Sequence, residues 1–392
     1  MWLVVGGVVL WMVVREGSLD WVNPLSLNQK NFRQAQDTYE VIGFLPPWMV
    51  EKAVIYPEAM DQLIFLGVEA KANGDLVWDS QSNKLYSQTY LAMKRAMRGA
   101  GKQNVLGIKL FDDKKISTLM ASAEARQNLV ANVKKVIDQE QFDGVNIDFE
   151  YQGNPEGVLE EEFVSFIGEL RQAIARKVSV DVFGNTVIKG NVEGLKNISM
   201  AADYVVVMAY DYHQPGSDYA GPVAPINSLP GVRSIMEVVD RIVALGLDRH
   251  KMILAYPLYG YEWKTVDTSF GSLARGNWGQ MVSYQRAQNL LHDAAFMQTA
   301  VVNWDDLSMS PWMSFTATET AYRRVKVKKK MVSEPYSVDG VHQIYYENLR
   351  SLEAKFKLVT QSQLGGVGFW ALGYEGNDAQ VWLTLTEVLS GK

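Results

Sequence analysis

Eight short runs of β-branched and aromatic residues, separated by longer stretches of helical periodicity, constrain the fold more than any other feature of this sequence. They lie at residues 41–45, 63–68, 105–110, 144–150, 178–183, 204–210, 252–256 and 366–371. Strands alternating with helices form a parallel sheet, because each parallel connection must cross back over the sheet. The intervening segments carry apolar faces at helical spacing: Leu129, Val130, Val133, Val136 and Ile137, then Phe163, Phe166, Ile167, Leu170 and Ile174, then Ile235, Val238, Val239 and Ile242. Eight such units fit a closed α/β barrel, the (β/α)8 TIM barrel, better than an open doubly wound sheet. No G-x-G-x-x-G follows the first strand to suggest a dinucleotide site.

One interval breaks the rhythm. About 109 residues separate the seventh run from the eighth, where a strand-helix-strand unit takes roughly 30. A small α+β insertion is therefore expected at 265–342, beside the barrel mouth, leaving 39–264 and 343–392 for the catalytic barrel. Within the insertion, the basic run Arg323 to Lys330 reads as the solvated face of a hairpin. Residues 1–14, MWLVVGGVVLWMVV, are uniformly apolar but shorter than the roughly 20 residues of a membrane span. They read as an export signal or uncleaved anchor, followed by a polar linker at 15–38, with membrane attachment through residues 1–14 and an extracytoplasmic location at the cell envelope as the expectation. A net charge of −6 argues against nucleic acid. The absence of cysteine and the scatter of the four histidines leave no metal site and no cofactor expected. The chain reads as a monomer.

In a closed barrel, the side chains at the C-terminal strand ends converge on the mouth. The fourth run reads Phe142-Asp143-Gly144-Val145-Asn146-Ile147-Asp148-Phe149-Glu150-Tyr151. Period-two alternation turns Val145, Ile147 and Phe149 to one face and Asn146, Asp148 and Glu150 to the other. An amide and two carboxylates facing a barrel interior are costly unless they bond one another and serve a purpose.

This strand resembles the D-G-x-D-x-D-x-E motif of glycoside hydrolase family 18, the chitinase-like hydrolases. The match is Asp143, Gly144, Asn146, Asp148 and Glu150, with Asn146 where the family usually has aspartate. Met208-Ala209-Tyr210-Asp211 is similar to the family's M-x-Y-D, and Tyr256 to Trp263 to its P-L-Y-G turn. The segment around Trp370 is similar to the strand that supplies the tryptophan beneath the reactive sugar. Gly43 to Trp48, together with Tyr259 and Trp263, resembles the bacterial spore-germination and cell-wall branch.

The resemblance implies hydrolysis of an N-acetylglucosamine-containing polysaccharide, of chitin or peptidoglycan type. Glu150 would be the acid on the leaving oxygen. Asp148 would hold the substrate's acetamido N–H, with Asn146 and Asp143 completing the catalytic motif, and Tyr210 would donate to the acetamido carbonyl. Asp211 and Met208 would contact sugar over the Trp370 floor, and Trp48, Tyr259 and Trp263 would extend the binding surface. A spacing of two residues, about 6.8 Å, leaves the stereochemistry open; the resemblance implies substrate assistance with retention. Asp148 is expected to raise the pKa of Glu150, and the Asn146 amide to donate to Asp148. The alternative is a lectin-like member of the same fold that binds sugar with little or no turnover.

Overall fold

The computed structural model describes residues 39–151, 160–327 and 330–391; the apolar segment 1–14 and the linker 15–38 lie outside the described residues. The first half contains β1 (Glu40–Leu45), β2 (Gln62–Ala70), β3 (Leu76–Val77), α1 (Gln88–Gly99), β4 (Gln103–Leu110), α2 (Asp113–Ala121), α3 (Ala123–Glu140) and β5 (Gly144–Phe149). Then come α4 (Glu160–Ile174), β6 (Lys177–Phe183), α5 (Gly184–Lys189), α6 (Val192–Ala201), β7 (Tyr204–Met208), α7 (Ile235–Ala244) and β8 (Met252–Pro257). The last part holds β9 (Tyr259–Thr265), β10 (Ala274–Ser283), α8 (Tyr284–His292), β11 (Ala300–Asp305), β12 (Ser310–Val327), β13 (Lys330–Tyr345), α9 (Leu349–Gln361), β14 (Gly366–Trp370) and α10 (Ala379–Leu389).

Eight strands pair in parallel in the order β1, β2, β4, β5, β6, β7, β8, β14, and β14 pairs back onto β1. The result is the closed (β/α)8 barrel. The seam is tight at Gly366, where a Cβ would stand 1.9 Å from the Glu40 carbonyl oxygen. All eight expected strands are present. The fourth and sixth end at Phe149 and Met208, so Glu150 and Tyr210 stand just past their strands, on the rim of the mouth.

Strand alternation divides the apolar residues into two shells. Val145, Ile147 and Phe149 of β5 and Val178, Val180 and Val182 of β6 face outward and pack with helix residues such as Leu129, Val133, Phe166 and Leu170. The barrel interior is filled from β1, β2, β4, β7 and β8 by Ile42, Phe44, Ile64, Leu66, Val105, Val206, Ile253 and Ala255. On β5 and β6 the buried inward positions are instead polar: Asn146, Asp148, Ser179 and Asp181. α3 delivers β5 to this position. Its N-terminus is capped by the Ser122 hydroxyl, which accepts from the Ala125 N–H, and it ends at Gln141 in the left-handed region.

The insertion is a five-stranded antiparallel sheet in the order β10, β9, β13, β12, β11, with α8 in the connection between β10 and β11. It begins at Tyr259 and ends at Tyr345, so it is wider than 265–342. Residues 259–264 fall within the expected barrel domain, but the chain turns at Leu258 and β9 pairs with β10 and β13. The basic run lies on the β12–β13 hairpin, where Arg323 pairs with Glu334 and Val327 with Lys330; residues 328–329 are outside the described residues. Among the described residues, no helix is long and apolar enough to cross a membrane.

The chain re-enters the barrel through a buried ion pair. The Lys355 ammonium of α9 donates to Glu347 at 2.8 Å, with both side chains almost fully buried. The Ser351 hydroxyl donates to the same carboxylate, while Asn348 and Ser351 form a capping box at the start of α9. Removing one partner strands a buried charge. Lys355→Ala is therefore expected to lower the unfolding free energy by about 3–5 kcal/mol. The neutral pair Lys355→Met with Glu347→Gln should lose far less, as read by denaturant unfolding of both variants.

Candidate active site

β5 and β6 bring the polar group together. Asn146 pairs with Ser179 across the two strands, so the next inward positions, Asp148 and Asp181, stand at the same level. On the other side of β5, Asp148 is in register with Lys109 of β4. The Asn146 amide donates to Asp181 Oδ1 at 2.6 Å and to Ser179 Oγ at 3.1 Å. That corrects the expected bond to Asp148: the amide reaches the neighbouring strand rather than along its own. Asn146 Oδ1 and Asp148 Oδ1 are both buried without a protein hydrogen-bond partner.

Glu150 follows at the rim. Burial raises its pKa, and the next cause is the charge of Asp211 rather than Asp148. Burial also raises Asp148 well above the usual carboxylate range, with Asp181 and Glu150 adding to the shift and Lys109 opposing it. Asp181 is raised by burial as well, and the Asn146 hydrogen bond opposes that shift. Beyond β7, Asp211 adopts φ 60°, a left-handed conformation that Asp tolerates better than most residues. This turns its carboxylate toward the insertion, where it accepts from the hydroxyls of Tyr259 at 2.7 Å and Tyr261 at 3.1 Å. Tyr210 packs edge-to-face on Tyr259, their centroids 6.2 Å apart.

Two cavities meet here. The smaller, about 180 Å³, has Trp370, Trp48, Phe44, Phe111 and Tyr259 around Asp148 and Lys109. Trp370 packs edge-to-face against both Phe44 and Trp48, and Trp48 is 49% exposed. The larger, about 530 Å³, extends toward Phe163, Asn185, Lys189 and Gln214. Glu150, Asp181, Met208, Tyr210 and Asp211 line both.

Two residues of the expected site lie elsewhere. Asp143 precedes β5, at the opposite end of the barrel, where its carboxylate accepts the Asn104 N–H at 2.8 Å. Seven residues of strand, about 23 Å, separate it from Glu150. Trp263 is fully buried in the insertion, edge-to-face on Tyr261 and Tyr345, and lines neither cavity. Three residues of the site were missed. Asp181 is one, and its signal is the Ser179-Val-Asp181-Val-Phe183 alternation. Lys109 and Tyr261 are the others: Lys109 is the single charged residue of β4, and Tyr261 shares a face of β9 with Tyr259.

A closed barrel with carboxyl groups and aromatic walls at its C-terminal mouth is the arrangement of a sugar-hydrolysing barrel enzyme. The chain matches the model of the family described as "Glycosyl hydrolases family 18" over residues 40–375. It belongs to that family.

Among its relatives, the "Putative sporulation-specific glycosylase YdhD" of Bacillus subtilis is 25% identical over 67% of this chain and 54% of its own length. The "Cortical fragment-lytic enzyme" of the same organism is 24% identical over 84% of this chain and 69% of its own. The chain thus spans only about half the length of the first of these. The crystal structure of Ostrinia furnacalis Group IV chitinase in complex with allosamidin has the same fold, with a TM-score of 0.73 and 17% identity, covering 90% of this chain and 99% of that one.

The raised Glu150 pKa has a consequence for stability. The fold favours the protonated form, so this contribution is full below the ordinary value of 4.5 and is lost as pH rises through the raised one. Glu150→Gln is therefore expected to unfold at a higher temperature than wild type at neutral pH, with the difference vanishing below about pH 4. Thermal unfolding of both proteins across that range is the measurement.

Proposed function

We propose that the chain is a retaining glycoside hydrolase of β-1,4-linked N-acetylglucosamine-containing polymers, with Glu150 as general acid and the substrate's acetamido oxygen as nucleophile. The observation that carries this reading is the position of Glu150 where the two cavities meet, in surroundings that raise its pKa. A polymer lying across both cavities would place its scissile bond at that junction, one sugar over Trp370 and the leaving portion in the larger cavity. Glu150 then gives its proton to the leaving oxygen while the acetamido oxygen closes on the anomeric carbon, forming an oxazolinium-type intermediate. Asp148 accepts from the acetamido N–H and stabilises the positive charge. The Tyr210 hydroxyl orients the acetamido carbonyl. Water activated by the Glu150 carboxylate opens the intermediate from the same face, which gives retention.

The chitinase in the fold comparison and the cortical fragment-lytic relative support N-acetylglucosamine polymers as the substrate class. Among the described residues lining the smaller cavity, Lys109 is the one cation. A cation there suits a polymer bearing carboxylates, as the lactyl groups of peptidoglycan do, and the proposed location is accordingly the cell envelope.

The test is product analysis by mass spectrometry after incubation with N-acetylglucosamine oligomers and, separately, with purified peptidoglycan strands. Cleavage by wild type should fall by about 10²–10⁴-fold in Glu150→Gln, and proton NMR should show the β-anomer as first product. Sugar binding by both proteins without cleavage by either would overturn the hydrolase reading and leave a lectin.

A further inference from the structure

We propose that Asp181 is the proton-sharing partner of Asp148: the two inward carboxyls of β6 and β5 hold one proton between them, with the Asn146 amide fixed beside both as their bridge. Asp181 thereby takes the place of the carboxylate that Asn146 lacks, from the neighbouring strand. Its part in catalysis rests on the hydrolase reading above; the pair itself does not.

Three observations carry this. The first is placement. The pairing of Asn146 with Ser179 puts Asp148 and Asp181 level on adjacent strands, and neighbouring strands lie about 4.8 Å apart. The second is charge. Asp148 is 4% and Asp181 6% exposed, and neither makes an ion pair among the described residues. The groups that act on them are Glu150, just past β5, on both, and Lys109 of β4 on Asp148, while Tyr210 and Asp211 after β7 line the same cavity. Of these, Lys109 alone is positive. Two adjacent buried carboxylates facing a further acid against one cation retain a proton between them.

The third observation is the orientation of the amide. Its N–H donates to Asp181 at 2.6 Å, which marks Asp181 as the acceptor and the ionised member of the pair. That leaves Asn146 Oδ1 and Asp148 Oδ1, on successive inward positions of one strand, as buried acceptors with no donor. A proton on Asp148 supplies the missing donor. The resting chain of bonds then runs from the Asp148 O–H to the Asn146 carbonyl, and from the Asn146 N–H to the Asp181 carboxylate, each bond polarising the next.

The arrangement also explains how Asp148 can begin protonated and still act as an acceptor. As Asp148 turns to the acetamido N–H, its proton passes directly to the other oxygen of Asp181, one O–H bond breaking on Asp148 as one forms on Asp181, and the Asn146 amide keeps both of its N–H bonds. The charge of the pair stays at minus one, and no proton is drawn from solvent. Asp181 touches no reacting atom in this scheme and is a positioning residue that acts through Asp148.

The test has two arms on the full chain. The first is an NMR titration of protein carrying carboxyl-¹³C aspartate, for wild type, Asp181→Asn and Asp148→Asn. Removing either acid should lower the titration of the other by about one pH unit or more, because coupling is reciprocal. If Asp148 titrates at the same pH in wild type and Asp181→Asn, and Asp181 is likewise indifferent to Asp148→Asn, the shared proton is refuted. This arm needs no turnover, so it stands apart from the fate of the hydrolase reading.

The second arm is the pH–rate profile on N-acetylglucosamine oligomers. Asp181→Asn should lower kcat roughly tenfold or more with little change in KM, and shift the acidic limb to lower pH. The exchange Asn146→Asp with Asp181→Asn should restore the profile in part. A loss of rate with the profile unmoved and no recovery in the exchange variant would reduce Asp181 to a packing role and overturn its part in catalysis.

Discussion

Hydrogen bonding of β1 to both β2 and β14 closes the sheet, and the character of the site follows from that closure. An open sheet would present Asn146, Asp148, Ser179 and Asp181 to solvent or to a covering helix. Closure turns them into a shared interior whose other wall is Ile42, Ile64, Val206 and Ile253. Confinement between an apolar wall and one another makes ordinary carboxyl groups into weak acids. The glycine at the seam matters for the same reason: without the close approach of Gly366 to Glu40, the ring does not shut.

The cost of this arrangement is visible in what the site lacks. Asp148, Asp181, Glu150 and Asp211 all have raised pKa values, with burial as the largest cause in each case. The cation that acts on Asp148 is Lys109, and Lys189 lines the larger cavity beside Glu150, Asp181 and Asp211. Elsewhere the fold treats buried charge differently. Glu347 is also raised by burial, but it receives Lys355 and Ser351 directly. The contrast separates a carboxylate held for structure, with its donors in contact, from carboxyls whose protons are left available for exchange.

Much of this was legible in the sequence because it depends on order along one strand. Alternation within β5 places Asn146, Asp148 and Glu150 on one face wherever the strand sits, and the spacing of eight strands restricts the sheet to a ring. What was not legible depends on pairing between strands. Asp181 is a single acid in a valine-rich run, and only the register of β6 on β5 makes it a neighbour of Asp148. Asp143 shows the converse: it belongs to the motif by count, yet the strand carries it to the far end of the barrel. Trp263 shows a third limit, since the alternation of Tyr259, Tyr261 and Trp263 is the same whether the strand extends the barrel or opens a new sheet.

That new sheet contributes to the chemistry through two hydrogen bonds. Tyr259 and Tyr261 are successive same-face residues of β9, and both hydroxyls converge on Asp211. Without them, Asp211 would be buried with no donor from the insertion, and its pKa would rise further. The more Asp211 is neutralised, the less its charge raises the pKa of Glu150, for which it is the second cause after burial. The insertion therefore acts on Glu150 by a sequence of opposite effects: phenol donors lower the pKa of Asp211, and the Asp211 charge raises that of Glu150. On this reasoning the width of the insertion, beginning at Tyr259 rather than beyond it, belongs to the design of the acid.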